Sequence, residues 1–292
     1  MSVMASVHPG EGATAQPRSL FGYEVLDFIG EGAASRIYVV SDAATSQLYA
    51  LKHVVRRTEK DDRFIEQLEG EFEAGKSVSH PGLRKSIDLK VTRAGLMRKV
   101  AEAALVMELF DGQSLEADPP RRTAAMADCF AQTAHALGAL HQSGYVHCDL
   151  KPNNILLNGS GQVKVIDLGQ ACSAGTVKKR IQGTPDYIAP EQVRCEAVTF
   201  RTDVYNLGAT MYWVLTGGKT VPTLYTLKRG DNSFLIDSAV PAPKDLNPRV
   251  PDALSSLVMD CVRVNPAKRP EMNDVARRLD IITYSLQKAA GA

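Results

Sequence analysis

The run His147-Cys148-Asp149-Leu150-Lys151-Pro152-Asn153-Asn154 stands directly before the apolar stretch Ile155-Leu156-Leu157. Transfer of a phosphoryl group to a hydroxyl needs a carboxylate that orients the hydroxyl and accepts its proton. It also needs a cation near the moving phosphate and an oxygen ligand for a divalent metal. Asp149, Lys151 and Asn154 supply one of each. Thirteen residues beyond Asn154, Asp167-Leu168-Gly169 closes another apolar run. A carboxylate there offers a second metal position, and Gly169 lets the chain turn away.

Two upstream features have suitable residue types but weaker signals. Gly30-Glu31-Gly32-Ala33-Ala34-Ser35-Arg36-Ile37 puts glycines between two apolar runs, where backbone can come close to phosphates. A tight hairpin accounts for the same residues. A dinucleotide-binding turn does not, because a strand follows rather than a helix and Ser35 holds the third glycine position. Lys52 ends Tyr49-Ala50-Leu51 one hairpin later, and reads either as a phosphate contact or as a solvated strand end. Its candidate partner carboxylate is Glu71; Glu73 competes, two residues on and on a different helix face.

The elements that must position these residues follow from periodicity. Ile37–Val40 and Leu48–Leu51 read as strands around the turn Asp42–Ser46. Residues 61–78 carry Phe64, Ile65, Leu68 and Phe72 at helical spacing, stopped by His80-Pro81-Gly82. Strands near 87–91 and 104–109 follow, then a helix over 123–143 ending at Gly144. Ile155–Leu157 and Val163–Ile166 flank the turn at 158–161, and helices cover about 201–216, 252–263 and 271–288. A strand-rich first part and a helix-rich second part imply two lobes with a cleft between them. Residues 1–19, rich in Ala, Gly, Pro and Ser, read as a disordered leader.

Composition sets outer bounds. The chain has 292 residues, 44% hydrophobic and 23% charged, with a net charge of +1. That gives no electrostatic footprint for nucleic acid or an acidic membrane. No run approaches the roughly 20 apolar residues of a membrane helix. The five cysteines form no C-x-x-C pair, so neither a disulfide framework nor a zinc site is expected, and a cytoplasmic setting is.

The motifs taken together resemble the eukaryotic-type serine/threonine protein kinase family, in a bacterial-type form. The glycine loop at Gly30, Lys52, Glu71, His80-Pro81, Val106-Met107-Glu108 and Asp149 come in the family's order. So do Asp167, Gly183-Thr184-Pro185-Asp186-Tyr187-Ile188-Ala189-Pro190-Glu191, Asp203-Val204-Tyr205-Asn206-Leu207-Gly208 and Arg269. The resemblance covers about Phe21 to Ser285. It implies an α+β bilobal fold: an antiparallel-sheet N-lobe over 20–108, a mainly helical C-lobe over 109–292, and ATP in the cleft.

The same resemblance implies the roles. Asp149 accepts the substrate proton, Lys151 neutralises the γ-phosphate, and Thr184 packs between them. Lys52 contacts the α- and β-phosphates and is held by Glu71. Gly30, Glu31 and Gly32 form the phosphate loop. Met107 backs the adenine pocket, the backbone of Glu108 and Phe110 bonds the adenine edge, and Ile37, Ala50 and Leu156 sandwich the ring. Asn154 and Asp167 hold Mg²⁺, with Mn²⁺ as a substitute. Asp203 anchors the catalytic loop and Glu191 pairs with Arg269. Expected partners are protein substrates and a regulator acting on the Glu71 helix, with autophosphorylation and a part in signal transduction. The rivals are a nucleotide-binding pseudokinase, whose signature would be loss of Lys52, Asp149 or Asp167, and a small-molecule phosphotransferase, which would lack the segment 167–191.

Several positions depart from the family pattern. Cys148 replaces the arginine that pairs with a phosphate on the activation segment, so control by phosphate on Ser173 or Thr176 loses its usual readout. Leu168 stands for phenylalanine and Ser35 for glycine. Gly75, one turn after Glu71, lacks the expected apolar side chain, which predicts a loosened helix. Cys148 and Cys172 also invite a redox reading, although two ordinary thiols is the plainer one. Residues 218–251 match no general motif.

Overall fold

A computed structural model describes residues 17–32, 34–95, 98–221 and 240–291. The expected leader therefore lies outside the described residues up to position 16, as do 222–239 of the unassigned segment. The chain divides into two compact units, one up to Ile65 with Asp88–Leu109, the other Glu66–Ile87 with Phe110 onward.

The first unit is built on a sheet. Strands β1 (Ser19–Leu20), β2 (Tyr23–Glu31), β3 (Ser35–Asp42), β4 (Leu48–Val55), β5 (Ser86–Ala94) and β6 (Lys99–Glu108) lie in the order β1-β2-β3-β4-β6-β5. The pairs β2–β3, β3–β4 and β4–β6 are antiparallel. Side chains alternate between faces along a strand. Tyr38, Val40, Leu51, Ala104 and Val106 fall on one face and form a buried cluster. The β3–β4 turn forms because the Asp42 carboxylate accepts from the Ala44 and Thr45 backbone N–H groups at 2.8 and 3.1 Å.

The second unit is mainly helical. Its helices are α2 (Thr123–Gln142), α3 (Pro190–Val193), α4 (Phe200–Leu215), α5 (Pro243–Leu246), α6 (Asp252–Cys261) and α7 (Met272–Gly291). Phe130, Leu137 and Leu140 of α2 pack in one core with Leu207 and Met211 of α4, Leu257 of α6 and Leu279 of α7. Gly144 leaves α2 with φ +84°, a conformation that needs no Cβ. Two small sheets carry the loops: β10 (Val163–Val165), β9 (Ile155–Leu157) and β7 (Gln113–Ser114) in one, β11 (Cys172–Ser173) and β8 (Tyr145–Val146) in the other.

Helix α1 (Asp62–Lys76) revises one expectation. Gly75 is not a gap. A Cβ there would stand 2.2 Å from Ser86 Oγ and 3.0 Å from Ser86 Cβ, and 3.8 Å from Leu168 Cδ1. The glycine lets neighbouring chain pack close, so the missing side chain gives no reason for a loose helix. The same helix separates the two competing carboxylates: Glu71 is 4% exposed, whereas Glu73 is exposed.

Candidate active site

The loop from His147 to Asn154 runs between β8 and β9 and ends in a single 3-10 turn, Pro152–Asn154. Proline opens that turn because its fixed φ suits the first helical position. Two of its side chains, Asp149 and Lys151, converge with Thr184 of the segment after β11. The Thr184 hydroxyl donates to Asp149 Oδ1 at 2.8 Å and accepts from Lys151 Nζ at 2.9 Å. Lys151 Nζ lies 3.4 Å from Asp149 Oδ2. A partly exposed carboxylate is thus held beside an ammonium group by one shared hydroxyl.

Asn154 closes the arrangement from below. Its Nδ2 donates to the Asp149 carbonyl at 2.9 Å, which assigns the amide oxygen to any further ligand. The Asn154 carbonyl accepts from the Ile166 N–H at 2.9 Å and so ties the loop to the residue before Asp167. His147 makes a second tie. Its Nε2 donates to the Ile166 carbonyl at 3.2 Å while Nδ1 accepts from the Asp149 N–H at 3.3 Å, a pattern that calls for the Nε2–H tautomer. Asp167 and Cys148 both hold positive φ, +64° and +66°. Non-glycine residues in that region cost about 1–3 kcal/mol and persist only where surrounding bonds over-determine them.

Those bonds are present for Cys148. Asp203 on α4 is fully buried, and its carboxylate accepts from the Cys148 N–H at 2.9 Å and the His147 N–H at 2.8 Å. His141 Nε2 meets the same carboxylate at 2.8 Å. Burial alone would push this carboxyl up, but the His141 bond, the His141 charge and the backbone N–H groups outweigh it and hold it low. On the other side of Cys148, Gln192 Nε2 donates to its carbonyl at 2.7 Å.

The segment carrying Thr184 has its own anchor. Arg269 Nη1 and Nη2 donate to Glu191 Oε1 and Oε2 at 2.7 and 2.9 Å, with both residues 2% exposed. The guanidinium also donates to the carbonyls of Arg263, Arg201 and Val264, and the Thr202 hydroxyl donates to Glu191. Every donor of this buried pair has a partner, the condition under which a buried ion pair is tolerated.

The remaining candidates fall into two groups. In the sheet unit, Gly30 is opposite Ile37, Ile37 opposite Lys52, and Ala50 opposite Met107. Directly paired residues share a face, as do residues two apart. Gly30, Ile37, Ala50, Lys52 and Met107 therefore line one face, the one away from the Tyr38–Leu51–Val106 cluster. Glu31 and Gly32 end β2, with the Gly32 N–H donating to the Ser35 carbonyl at 2.8 Å, and Glu108 ends β6. In the helical unit, Phe110 stacks near the Lys164 ammonium, 5.4 Å from the ring centre, and Leu156 pairs with Lys164 across β9–β10. Sequence reasoning missed His141, Gln192 and Asn206, which hold the loop and the Thr184 segment through hydrogen bonds to Asp203, Cys148 and Tyr187. No local signal marks them; only their partners do.

A family profile described as Protein kinase domain matches residues 23–278. The chain belongs to the protein kinase family, and its two units, one a sheet and one helical, are the two lobes of that fold. Among curated relatives it is 29% identical over 262 residues to the DNA damage-responsive serine/threonine-protein kinase RqkA of Deinococcus radiodurans, covering 85% of this chain and 37% of that protein. It is 27% identical to the serine/threonine-protein kinase PrkC of Bacillus subtilis, covering 85% and 38%. To the serine/threonine-protein kinase PknA of Mycobacterium tuberculosis the figure is 29%, covering 86% and 57%. The chain thus spans well under two thirds of these relatives.

Proposed function

We propose that this chain transfers the γ-phosphoryl group of ATP to serine or threonine hydroxyls of protein substrates. The observation that carries the reading is the Asp149–Thr184–Lys151 triad of contacts. Asp149 Oδ orients the incoming hydroxyl and takes its proton. Lys151 stands against the negative charge that spreads over the phosphoryl oxygens. Thr184 fixes the spacing of the two, and Asn154 holds the Asp149 backbone so that the carboxylate does not swing away.

Asn154 and Asp167 offer hard oxygen donors only, which suits Mg²⁺ or Mn²⁺ better than a soft-ligand metal. A bound Mg²⁺ would screen the phosphate charge. Gly30, Glu31, Gly32 and Lys52 would serve the phosphates, with Glu71 orienting Lys52. Ile37, Ala50, Met107, Glu108, Phe110 and Leu156 would serve the adenine. The names of the relatives support serine and threonine as acceptors, as does Lys151 two residues past Asp149.

A pseudokinase reading is weaker because each residue the chemistry needs is present. A small-molecule phosphotransferase is weaker because the 183–191 segment is intact and anchored. Cytoplasmic action, autophosphorylation and signalling remain part of the proposal; among the described residues no helix is long and apolar enough to cross a membrane. A regulator acting on α1 remains part of the proposal through Cys148, which stands where an arginine would read an activating phosphate; the closely packed Gly75 adds no support to it. The deciding experiment incubates the chain with Mg²⁺, labelled ATP and a generic protein substrate beside Asp149→Asn. Label on serine and threonine with the parent only is expected; equal labelling by both defeats the mechanism.

A further inference from the structure

Cys148 and Cys172 are 24 residues apart in sequence, yet their sulfur atoms lie 3.6 Å apart. The pairing of β8 with β11 brings them there, with Cys172 directly opposite Val146, two residues before Cys148. Nothing in the phosphoryl-transfer chemistry uses either thiol. We propose that the two form a redox-active pair that closes to an intramolecular disulfide when the protein meets hydrogen peroxide.

The two thiols are unequal in a way that divides the labour. Cys148 is 1% exposed, while Cys172 is partly exposed. The two sulfurs are in hydrogen-bond contact in which either can donate, and the Cys148 sulfur also reaches the Val146 carbonyl at 3.6 Å. The contact with Cys172 together with burial raises the Cys148 thiol. The same contact, helped by the Lys178 ammonium, draws the Cys172 thiol below the ordinary thiol range. Cys172, the sulfur that peroxide in solution can reach, is therefore the attacking one, and the buried Cys148 the resolving one. Two of the other three thiols, Cys129 and Cys261, are buried and pushed up to about 12.

The chemistry balances with one peroxide. The Cys172 thiolate attacks an oxygen of hydrogen peroxide; an S–O bond forms, the O–O bond breaks, and hydroxide leaves with the proton released when Cys172 ionised, as water. Cys148 then attacks the sulfenic sulfur; the S–S bond forms, the S–O bond breaks, and the second water leaves with the Cys148 proton. Two thiols lose two electrons and the peroxide gains them.

Closure requires the sulfurs to move from 3.6 Å to about 2.0 Å. Cys148 is pinned by Asp203 at its N–H and by Gln192 at its carbonyl, so the shift falls on β11. The bond would tether the segment from Cys172 onward to the catalytic loop, restraining the exposed Lys179-Arg180 stretch beyond it.

The test treats the reduced, reductant-free chain with hydrogen peroxide, blocks remaining thiols and maps peptides by mass spectrometry. Expected are an intact mass lower by two hydrogens and a linked peptide joining Cys148 to Cys172, both reversed by dithiothreitol. Cys172→Ser, a change at a partly exposed site, abolishes the link; Cys148→Ala leaves Cys172 as a sulfenic acid that dimedone traps. Trypsin cleaves the oxidised parent after Lys179 and Arg180 at least severalfold more slowly than the reduced one. The proposal is overturned if parent Cys172 accumulates as dimedone adduct or higher oxide with Cys148 free, if neither thiol reacts, or if Cys172→Ser still yields a link to Cys148. Equal cleavage of a linked and a reduced sample overturns the tether.

Discussion

Asp149 shares one hydroxyl with Lys151, and that sharing makes the residue-scale predictions graded rather than all-or-none. Asp149→Asn keeps the shape and removes the carboxylate proposed to accept the proton. A positioned general base contributes typically 10²–10⁴-fold, so kcat should fall about 10³-fold with little change in KM for ATP, as read by steady-state kinetics. Thr184→Ala removes a positioning hydroxyl and leaves the carboxylate in place. Loss of one such bond, about 1.5 kcal/mol, corresponds to about tenfold in rate, and Thr184→Ser should restore most of it. If Thr184→Ala were as damaging as Asp149→Asn, the threonine would have to act in the chemistry itself.

Elements hold these residues through close approach and through buried charge. Helix propensity favours alanine over glycine by about 1 kcal/mol, so Gly75→Ala should stabilise an isolated helix. Here the added Cβ meets Ser86, and overpacking costs about 1–3 kcal/mol. A net loss of about 1 kcal/mol is expected in urea melts, with Ser86→Gly restoring part of it; a gain in stability would mean that the strand simply moves aside. Arg269 ties the Thr184 segment to the helical core through Glu191. Arg269→Met leaves a buried carboxylate without its partner, a loss of about 3–5 kcal/mol by chemical denaturation. A loss under about 1 kcal/mol would show that Glu191 is satisfied by Thr202 alone.

For the molecule as a whole, stability should respond to ligand and to acid. A ligand that binds only the folded state adds about 2.7 kcal/mol at a hundred times its Kd. A non-hydrolysable ATP analogue should therefore raise Tm, further with Mg²⁺ than with EDTA; Asp167→Asn should keep the metal-free rise and lose the Mg²⁺ increment. An unchanged increment would remove Asp167 from the proposed metal site. Asp203 sets the acid limb. Its folded carboxyl is held below the ordinary 3.8, so its contribution is full above that value and disappears as pH falls through the lower, folded one. Asp203→Asn should lose stability at neutral pH and show a flatter decline below about pH 4. A parent equally stable at pH 7 and pH 2 would contradict this.

The sequence by itself determined the family and the linear order of the parts, because kinase chemistry needs particular residue types at short, fixed spacings around strand ends. Asp149, Lys151 and Asn154 were legible for that reason, and so were the strands and helices, whose apolar periods repeat within a few residues. Expected and observed bounds of the long helices differ by only one to three residues at most ends, as with 252–263 against Asp252–Cys261. Of the contacts between distant segments, only those the family resemblance implied were legible, Glu191 with Arg269, Thr184 with Asp149 and Lys151, and Asp203 with the catalytic loop. The others were not, since nothing local encodes them. The role of Gly75 depended on Ser86, which reaches it from the following strand. The frame of His141, Gln192 and Asn206 depended on partners 19 to 62 residues away. Cys148 read as a missing arginine; only the antiparallel pairing of two-residue strands set its sulfur 3.6 Å from that of Cys172. Tertiary structure decided such pairs because a hydrogen bond or a thiol contact acts over a few ångströms of space, whatever the length of chain between its ends.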